Sequence, residues 1–197
     1  MDQLLLYPVG STASCQYASI FLERGGFTLT DHPCPEITHL LLDIPSFDEK
    51  GFLKDGTCLK GLLRMLPENV TIIGGHLNQP FLENHRKIDL LQDPYYLAHN
   101  AAITAECALR VSFPHLKTTL DDSPALILGW GRIGKCLARL LSSLGCPVTV
   151  AARKDCDRAM LEALGYDAVD FSDIARPLSC LRDSIRFRTA FHTTPTP

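Results

Sequence analysis

The sequence has one tryptophan, no C-x-x-C pair, no long apolar run and no cluster of basic residues. Each absence excludes something. The eight cysteines stand at 15, 34, 58, 107, 136, 146, 156 and 180, spacings that give neither a zinc ribbon nor a dithiol redox motif. Several fall on apolar helix faces, where cysteine acts as a small hydrophobe, so reduced thiols in a cytoplasmic protein are expected. His32-x-Cys34 is the one close pair of soft ligands, and no metal site is expected. No stretch reaches the ~18 apolar residues of a membrane span, and the first ten residues, with Asp2 and only a short apolar run, do not read as a signal peptide. Nineteen Lys and Arg against 22 Asp and Glu give a net charge of −3 without a basic run, which argues against a nucleic-acid surface. There is no repeat or low-complexity segment, and spacing assembles no Ser-His-Asp or Cys-His set.

What is there is ordinary globular composition, 46% hydrophobic and 21% charged over 197 residues, enough for one domain or two small ones. The most informative stretch is Ala125-Leu126-Ile127-Leu128-Gly129-Trp130-Gly131-Arg132-Ile133-Gly134. Four apolar residues suit a parallel strand buried on both faces. They run into G-x-G-x-x-G, and Ile133, Cys136, Leu137, Leu140, Leu141 and Leu144 then mark one helical face that Gly145 can end. Three fixed glycines alone arise by chance in roughly 6% of chains this long. The flanking strand and helix, and a second strand at Val148–Ala152, are what give the motif meaning. Gly129 would permit the tight turn, Gly131 the close approach of a pyrophosphate, and Gly134 the close packing of helix on strand. A plain βαβ turn or a different nucleotide-like ligand are the other readings.

Around this unit the pattern alternates. Strands are expected at Leu4–Tyr7, Phe27–Thr30, Thr38–Asp43, Val70–Gly75 and Ile88–Leu91, and helices at Ala13–Arg24, with Tyr17, Ile20 and Phe21 on one face, and at Leu59–Leu66. That order describes a small open parallel sheet with helices on both faces. Asp93-Pro94 is an N-cap and N1 pair predicting a short turn to Leu97, followed by a longer helix from Asn100 or Thr104 to Phe113. The Pro-, Asp- and Thr-bearing stretch Pro114–Pro124 reads as a crossing between domains. A helix near Lys154–Leu164, a strand at Ala168-Val169, a helix capped by Ser172 and a strand near Phe187–Phe191 complete the pattern.

Asn100-Ala101-Ala102-Ile103-Thr104-Ala105-Glu106, then Gly129-Trp130-Gly131-Arg132-Ile133-Gly134-Lys135, Ala151-Ala152-Arg153-Lys154 and Leu164-Gly165-Tyr166 resemble the family of the dipicolinate synthase A subunit. The resemblance is close from about Asp93 to Asp170 and only architectural before it. It implies an α/β protein of two Rossmann-like domains with parallel sheets. Residues 1–118 would form a substrate-side domain with an inter-domain helix, and 119–197 an NAD(P)-binding domain, with the ligand cleft between them. It also implies NADP-dependent oxidation of a hydroxylated tetrahydrodipicolinate during sporulation, with a second, flavoprotein-like protein as the partner. The layout is shared with the cofactor domains of D-2-hydroxyacid dehydrogenases and adenosylhomocysteine hydrolase. Two departures stand out. Cys107 replaces the family's glycine, and where the family has Asn-Thr-x-Pro near the nicotinamide only Thr193 and Pro195 are kept. About 75 residues beyond Asp122 make half of a complete doubly wound domain, so the second domain is expected to be incomplete, with an uncovered sheet edge that favours a homo-oligomer.

The candidate residues follow. Gly129, Trp130, Gly131, Arg132, Ile133 and Gly134 form the cofactor loop, with Trp130 read mainly as packing over it. Arg153 and Lys154 stand where NAD enzymes place an acid for the ribose 2′-hydroxyl. A basic pair there suits the 2′-phosphate of NADP, with NAD the second choice and a solvated helix start the bland alternative. Thr104 and Glu106 are catalytic candidates, and Glu106 could instead be a favourable charge near a helix start. Ser11, Thr12 and Asn100 are candidates for a small-molecule substrate, with an ordinary N-cap the alternative for the first two. Against the oxidoreductase stand a non-catalytic or truncated dinucleotide-binding module and a methyltransferase. The latter is disfavoured because Arg153-Lys154 replaces a ribose-binding acid.

Overall fold

The computed structural model describes residues 4–116, 118–121 and 123–174 and the backbone of 185–188. It divides into two units, Met1–Leu97 and Ala98–Pro197. The first holds β1 (Leu5–Val9), α1 (Ala13–Arg24), β2 (Thr28–Leu29), β3 (His39–Leu42), α2 (Leu59–Leu63), β4 (Thr71–Gly74) and β5 (Arg86–Asp89). The dividing point falls within α3 (Pro94–Ser112), and the second unit continues with β6 (Ala125–Leu128), α4 (Arg132–Ser143), β7 (Val148–Ala151), α5 (Asp155–Ala163), β8 (Asp167–Val169) and β9 (Ile185–Arg188).

The first sheet is parallel throughout, in the order β2-β1-β3-β4-β5. Leu40, Leu42, Ile72 and Gly74 alternate with half-buried neighbours. The buried face packs with Leu59 and Leu62 of α2 and with Ile37, Leu66, Val70, Leu77 and Leu82. The helix α1 has the expected bounds but not the expected orientation. Tyr17, Ile20 and Phe21 are 64%, 41% and 67% exposed, whereas Cys15 is its buried residue and Ala18, Ser19 and Leu22 are half-buried. Small side chains at that stripe let the backbone come close to the sheet, and the aromatic stripe is left outward.

The second sheet is also parallel, in the order β8-β7-β6-β9. In chain order this is 3-2-1-4, the first half of a doubly wound nucleotide-binding sheet, whose direction of travel reverses between β6 and β9. Ile127 and Val150 pack against Leu137, Ala138 and Leu141 of α4, Leu161 of α5, and Ala105 and Leu109 of α3. The stretch Pro114–Pro124, read from sequence as an inter-domain crossing, lies inside this second unit.

Local boundaries differ in places from those read in the sequence. The two helical pieces near Asp93 and Asn100 are one helix, α3, started by the Asp93 carboxylate accepting from the Tyr95 and Tyr96 N–H groups at 2.8 and 3.3 Å. Nothing between Leu97 and Asn100 breaks it, and Ala101, Ala105 and Leu109 form one buried stripe. The fifth strand lies two residues earlier than read, because Arg86 and Lys87 can occupy an edge strand that exposes them. After β8, Asp170 caps a 3₁₀ turn at Phe171–Asp173, and the helix read from Asp173 to Leu181 lies almost wholly outside the described residues. The last strand is described over Ile185–Arg188 and pairs with β6 at the end of the described sheet; the part of it read beyond Arg188 lies outside the described residues.

Candidate functional site

Both sheets place a βα turn at the point where strand order reverses, the position at which open α/β sheets bind ligands. The two turns are built differently. In the first unit, Gly10-Ser11-Thr12 follows β1 and Asp43 follows β3 across the switch. The Asp43 carboxylate is 4% exposed and accepts from the Ser11 N–H at 3.0 Å and the Thr12 N–H at 3.3 Å, and also from the Thr12 hydroxyl. Thr12 caps α1 through the Cys15 N–H. A Cβ on Gly10 would lie 2.6 Å from both Asp43 Oδ1 and Cys15 Sγ. The helix start is thus filled by the protein's own carboxylate. Burial, then the nearby Asp43 charge, pushes the Cys15 thiol above its usual range. Ser46, fully buried, bonds the Asp43 carbonyl and accepts from the Gly75 N–H, both at 2.8 Å, tying the ends of β3 and β4 together.

In the second unit no described residue plugs the turn between β6 and α4. Gly129 has φ +114°, a conformation that a side chain disfavours, and its N–H bonds the Ala151 carbonyl at 2.9 Å. Gly134 sits against the turn, where an added Cβ would lie 2.2 Å from the Gly129 carbonyl oxygen. Gly131 is the helix N-cap, has no side-chain capping bond, and an added Cβ there meets no described atom within 4 Å. The three glycines therefore divide the work of turning, opening and packing. The first N–H groups of α4 have no intrahelical acceptor by construction and carry the positive end of the helix dipole. This is a cradle of the shape and charge that a pyrophosphate needs, and the residues fit a dinucleotide. Ile133 is 8% exposed, so its side chain serves the core and only its backbone belongs to the cradle, while Arg132 is exposed at the first helical position. The Trp130 ring is half-buried, edge-on to Tyr166 at 5.9 Å with Lys135 Nζ 5.7 Å from its centre. That is a packing role.

Beyond β7 lies the expected basic pair. Arg153 and Lys154 are exposed, Lys154 at the N-cap of α5, and the Arg153 guanidinium stacks 5.4 Å from the centre of the Phe171 ring. A residue that the sequence reading passed over organises this corner. Arg158, one turn into α5, donates from Nη1 to the Ala152 carbonyl at 2.7 Å, to the Arg153 carbonyl at 3.0 Å and to Asp170 Oδ2 at 2.6 Å, and from Nη2 to Asp155. Asp170 in turn accepts from the Ser172 N–H at 2.9 Å and its hydroxyl at 2.7 Å. These Ser172 bonds, with the Arg158 charge, hold the Asp170 carboxyl below the usual carboxylate range. The one hint in the sequence was an arginine four residues after Lys154, on the face of α5 that returns to the loop.

Of the remaining candidates, Asn100, Thr104 and Glu106 lie on α3. Thr104 donates to the Asn100 carbonyl at 2.6 Å within α3, and Glu106 is exposed past the middle of that helix, so it is not a charge at a helix start. Thr193 and Pro195 lie outside the described residues. Among the described residues no group of His, Cys, Asp and Glu is placed to hold a metal ion, and no helix is long and apolar enough to cross a membrane.

No protein-family profile matches the chain. The A subunit of dipicolinate synthase from Bacillus subtilis (strain 168) is 25% identical over 175 residues, 76% of this chain and 58% of that protein. The chain thus spans little more than half of this relative. Crystal structures of the dipicolinate synthase A subunits from Bacillus halodurans and from Bacillus subtilis superpose with TM-scores of 0.73 and 0.69 at 19% and 18% identity. Both alignments cover 96% of this chain, and 75% and 73% of theirs. A transhydrogenase from Sinorhizobium meliloti has a TM-score of 0.63 at 11% identity, covering 96% of this chain and 60% of its own. In sequence and in fold, the protein is similar to the A subunit of dipicolinate synthase.

Proposed function

We propose that the second unit binds a nicotinamide dinucleotide, with NADP preferred over NAD, and that the protein serves an oxidation resembling that of dipicolinate synthase. The substrate would be a hydroxylated tetrahydrodipicolinate-like dicarboxylate, and a second, flavoprotein-like protein the partner. The observation that carries the reading is the contrast between the two βα turns of one chain. The Asp43 carboxylate fills the first, whereas no described residue fills the second, which starts at Gly131. Backbone N–H groups of Arg132, Ile133 and Gly134 would hold the pyrophosphate, and Arg153 with Lys154 the 2′-phosphate. When bound, the nicotinamide supplies hydride transfer. The protein's share is to bind and orient it.

Calorimetric titration of NADPH, NADH and S-adenosylmethionine into the full chain tests this. NADPH should bind most tightly. A charge-assisted hydrogen bond contributes ~1.5–3 kcal/mol, so Arg153→Ala should weaken NADPH by about 10- to 150-fold and leave NADH nearly unchanged. Lys154→Ala should cost less, because an ammonium lacks the guanidinium fork. Binding of S-adenosylmethionine without NADPH would contradict the reading, as would equal losses of both cofactors in Arg153→Ala.

A further inference from the structure

The corner after β7 holds more hydrogen bonds than a solvated helix start requires, and four of them converge on one side chain. Arg158 is 22% exposed, and its guanidinium reaches two consecutive backbone carbonyls, Ala152 and Arg153, and two carboxylates, Asp155 and Asp170. The carbonyls belong to the loop that carries Arg153. Asp170 immediately precedes Phe171, the ring on which the Arg153 guanidinium rests. One residue therefore joins the segment from which Arg153 projects to the segment on which it lies. An arginine fork can do this because it presents five donors in a fixed plane, which a lysine cannot.

We infer that Arg158 is a positioning residue for cofactor choice. By pinning the Ala152 and Arg153 carbonyls and the Asp170–Ser172 turn, it holds the Arg153 guanidinium over Phe171, ready for the 2′-phosphate of a dinucleotide. The inference rests on Arg153 being the 2′-phosphate ligand. A long exposed side chain loses rotamer freedom when it grips a ligand. Fixing its backbone and stacking surface beforehand removes part of that loss. The benefit belongs to the 2′-phosphate alone, so it appears as selectivity for NADPH over NADH.

Dissociation constants for NADPH and NADH on the full-length wild type, Arg153→Ala, Arg158→Ala, Arg158→Lys and the Arg153→Ala/Arg158→Ala double variant test it, with circular dichroism as the check of folding. Arg158→Ala should weaken NADPH by about 10-fold and NADH by less than about twofold. Arg158→Lys should stay near Arg158→Ala. The double variant should be no weaker than Arg153→Ala to within about twofold, because one residue acts through the other. Equal losses of NADPH and NADH in Arg158→Ala would make Arg158 a general support of α5 and overturn the inference. Losses that multiply in the double variant would instead assign it to charge balance against Asp155, with the same consequence. If Arg153→Ala is selective while Arg158→Ala is inert, the inference alone fails; if Arg153→Ala is inert too, the 2′-phosphate reading fails with it. Should Arg158→Ala not fold, Asp170→Asn removes the Arg158–Asp170 contact while its amide oxygen can still accept from Ser172. A selective loss of NADPH affinity in that variant supports the inference, and unchanged affinity overturns it.

Discussion

Gly134 has no room for a methyl group, because an added Cβ would lie 2.2 Å from the Gly129 carbonyl oxygen, a backbone atom that cannot swing aside. Gly134→Ala should therefore lower the stability of the second unit by about 1–3 kcal/mol, the usual cost of overpacking, read as a fall in the urea midpoint. The cysteines offer a second single-residue test. Cys15 and Cys146 are buried, with thiols pushed up chiefly by desolvation, whereas Cys58, Cys107 and Cys156 are exposed. Alkylation under mildly alkaline, native conditions should label the latter three promptly and the buried pair only after unfolding, as mass mapping would record. The sign of the linkage follows from the direction of the shift. A thiol raised by folding supports the fold below the ordinary thiol range, and that support is lost as the pH climbs through its raised value. Prompt labelling of Cys15 in the folded protein would contradict the burial of α1 on the sheet.

Among the elements, α1 and α4 show what a sequence does and does not disclose. The turn before α4 was legible because its determinants are contiguous. Apolar Ala125–Leu128, three glycines and the Ile133–Leu141 stripe all lie within one βα step. The turn before α1 was not. Ser11 and Thr12 read equally well as a substrate site or an N-cap, and what decides their surroundings is Asp43, more than 30 residues away in sequence. The aromatic stripe of α1 misled for a related reason, since periodicity gives a face but not its direction, and Cys15, Ala18 and Ser19 proved the better fit to the sheet. Arg158 went unread because its partners are backbone carbonyls and a carboxylate beyond the next strand. The buried plug carries its own prediction. Asp43→Ala leaves the Ser11 and Thr12 N–H groups without their acceptor and should destabilise the first unit by ~1–3 kcal/mol, with Asp43→Asn recovering part of the loss. An Asp43→Ala variant as stable as wild type in urea would mean that water replaces the carboxylate at no cost.

At the scale of the whole molecule, two parallel sheets each build their own core, one on Leu40, Ile72 and Leu59, the other on Ile127, Val150 and Leu137. Ligand binding should respect that division. NADPH at 100 times its dissociation constant would stabilise the unit that binds it by about 2.7 kcal/mol. Hydrogen exchange should slow across β6, α4 and β7 and not in the sheet of the first unit. Protection centred instead on the turns after β1 and β3 would place the dinucleotide in the first unit and contradict the assignment. The central claim, that the Gly131 turn is kept bare for a pyrophosphate, meets its most direct test in calorimetric titration of NADPH into wild type and Gly131→Ser. Serine is a favourable N-cap, and its Cβ enters space with no described protein atom within 4 Å. The variant should therefore fold with undiminished stability while its own side chain caps the helix start, as Thr12 does in the first unit. NADPH affinity should fall by about 100-fold or more, the loss of at least two charge-assisted bonds. A stable Gly131→Ser variant that binds NADPH as tightly as wild type would show that the dinucleotide does not bind at this turn.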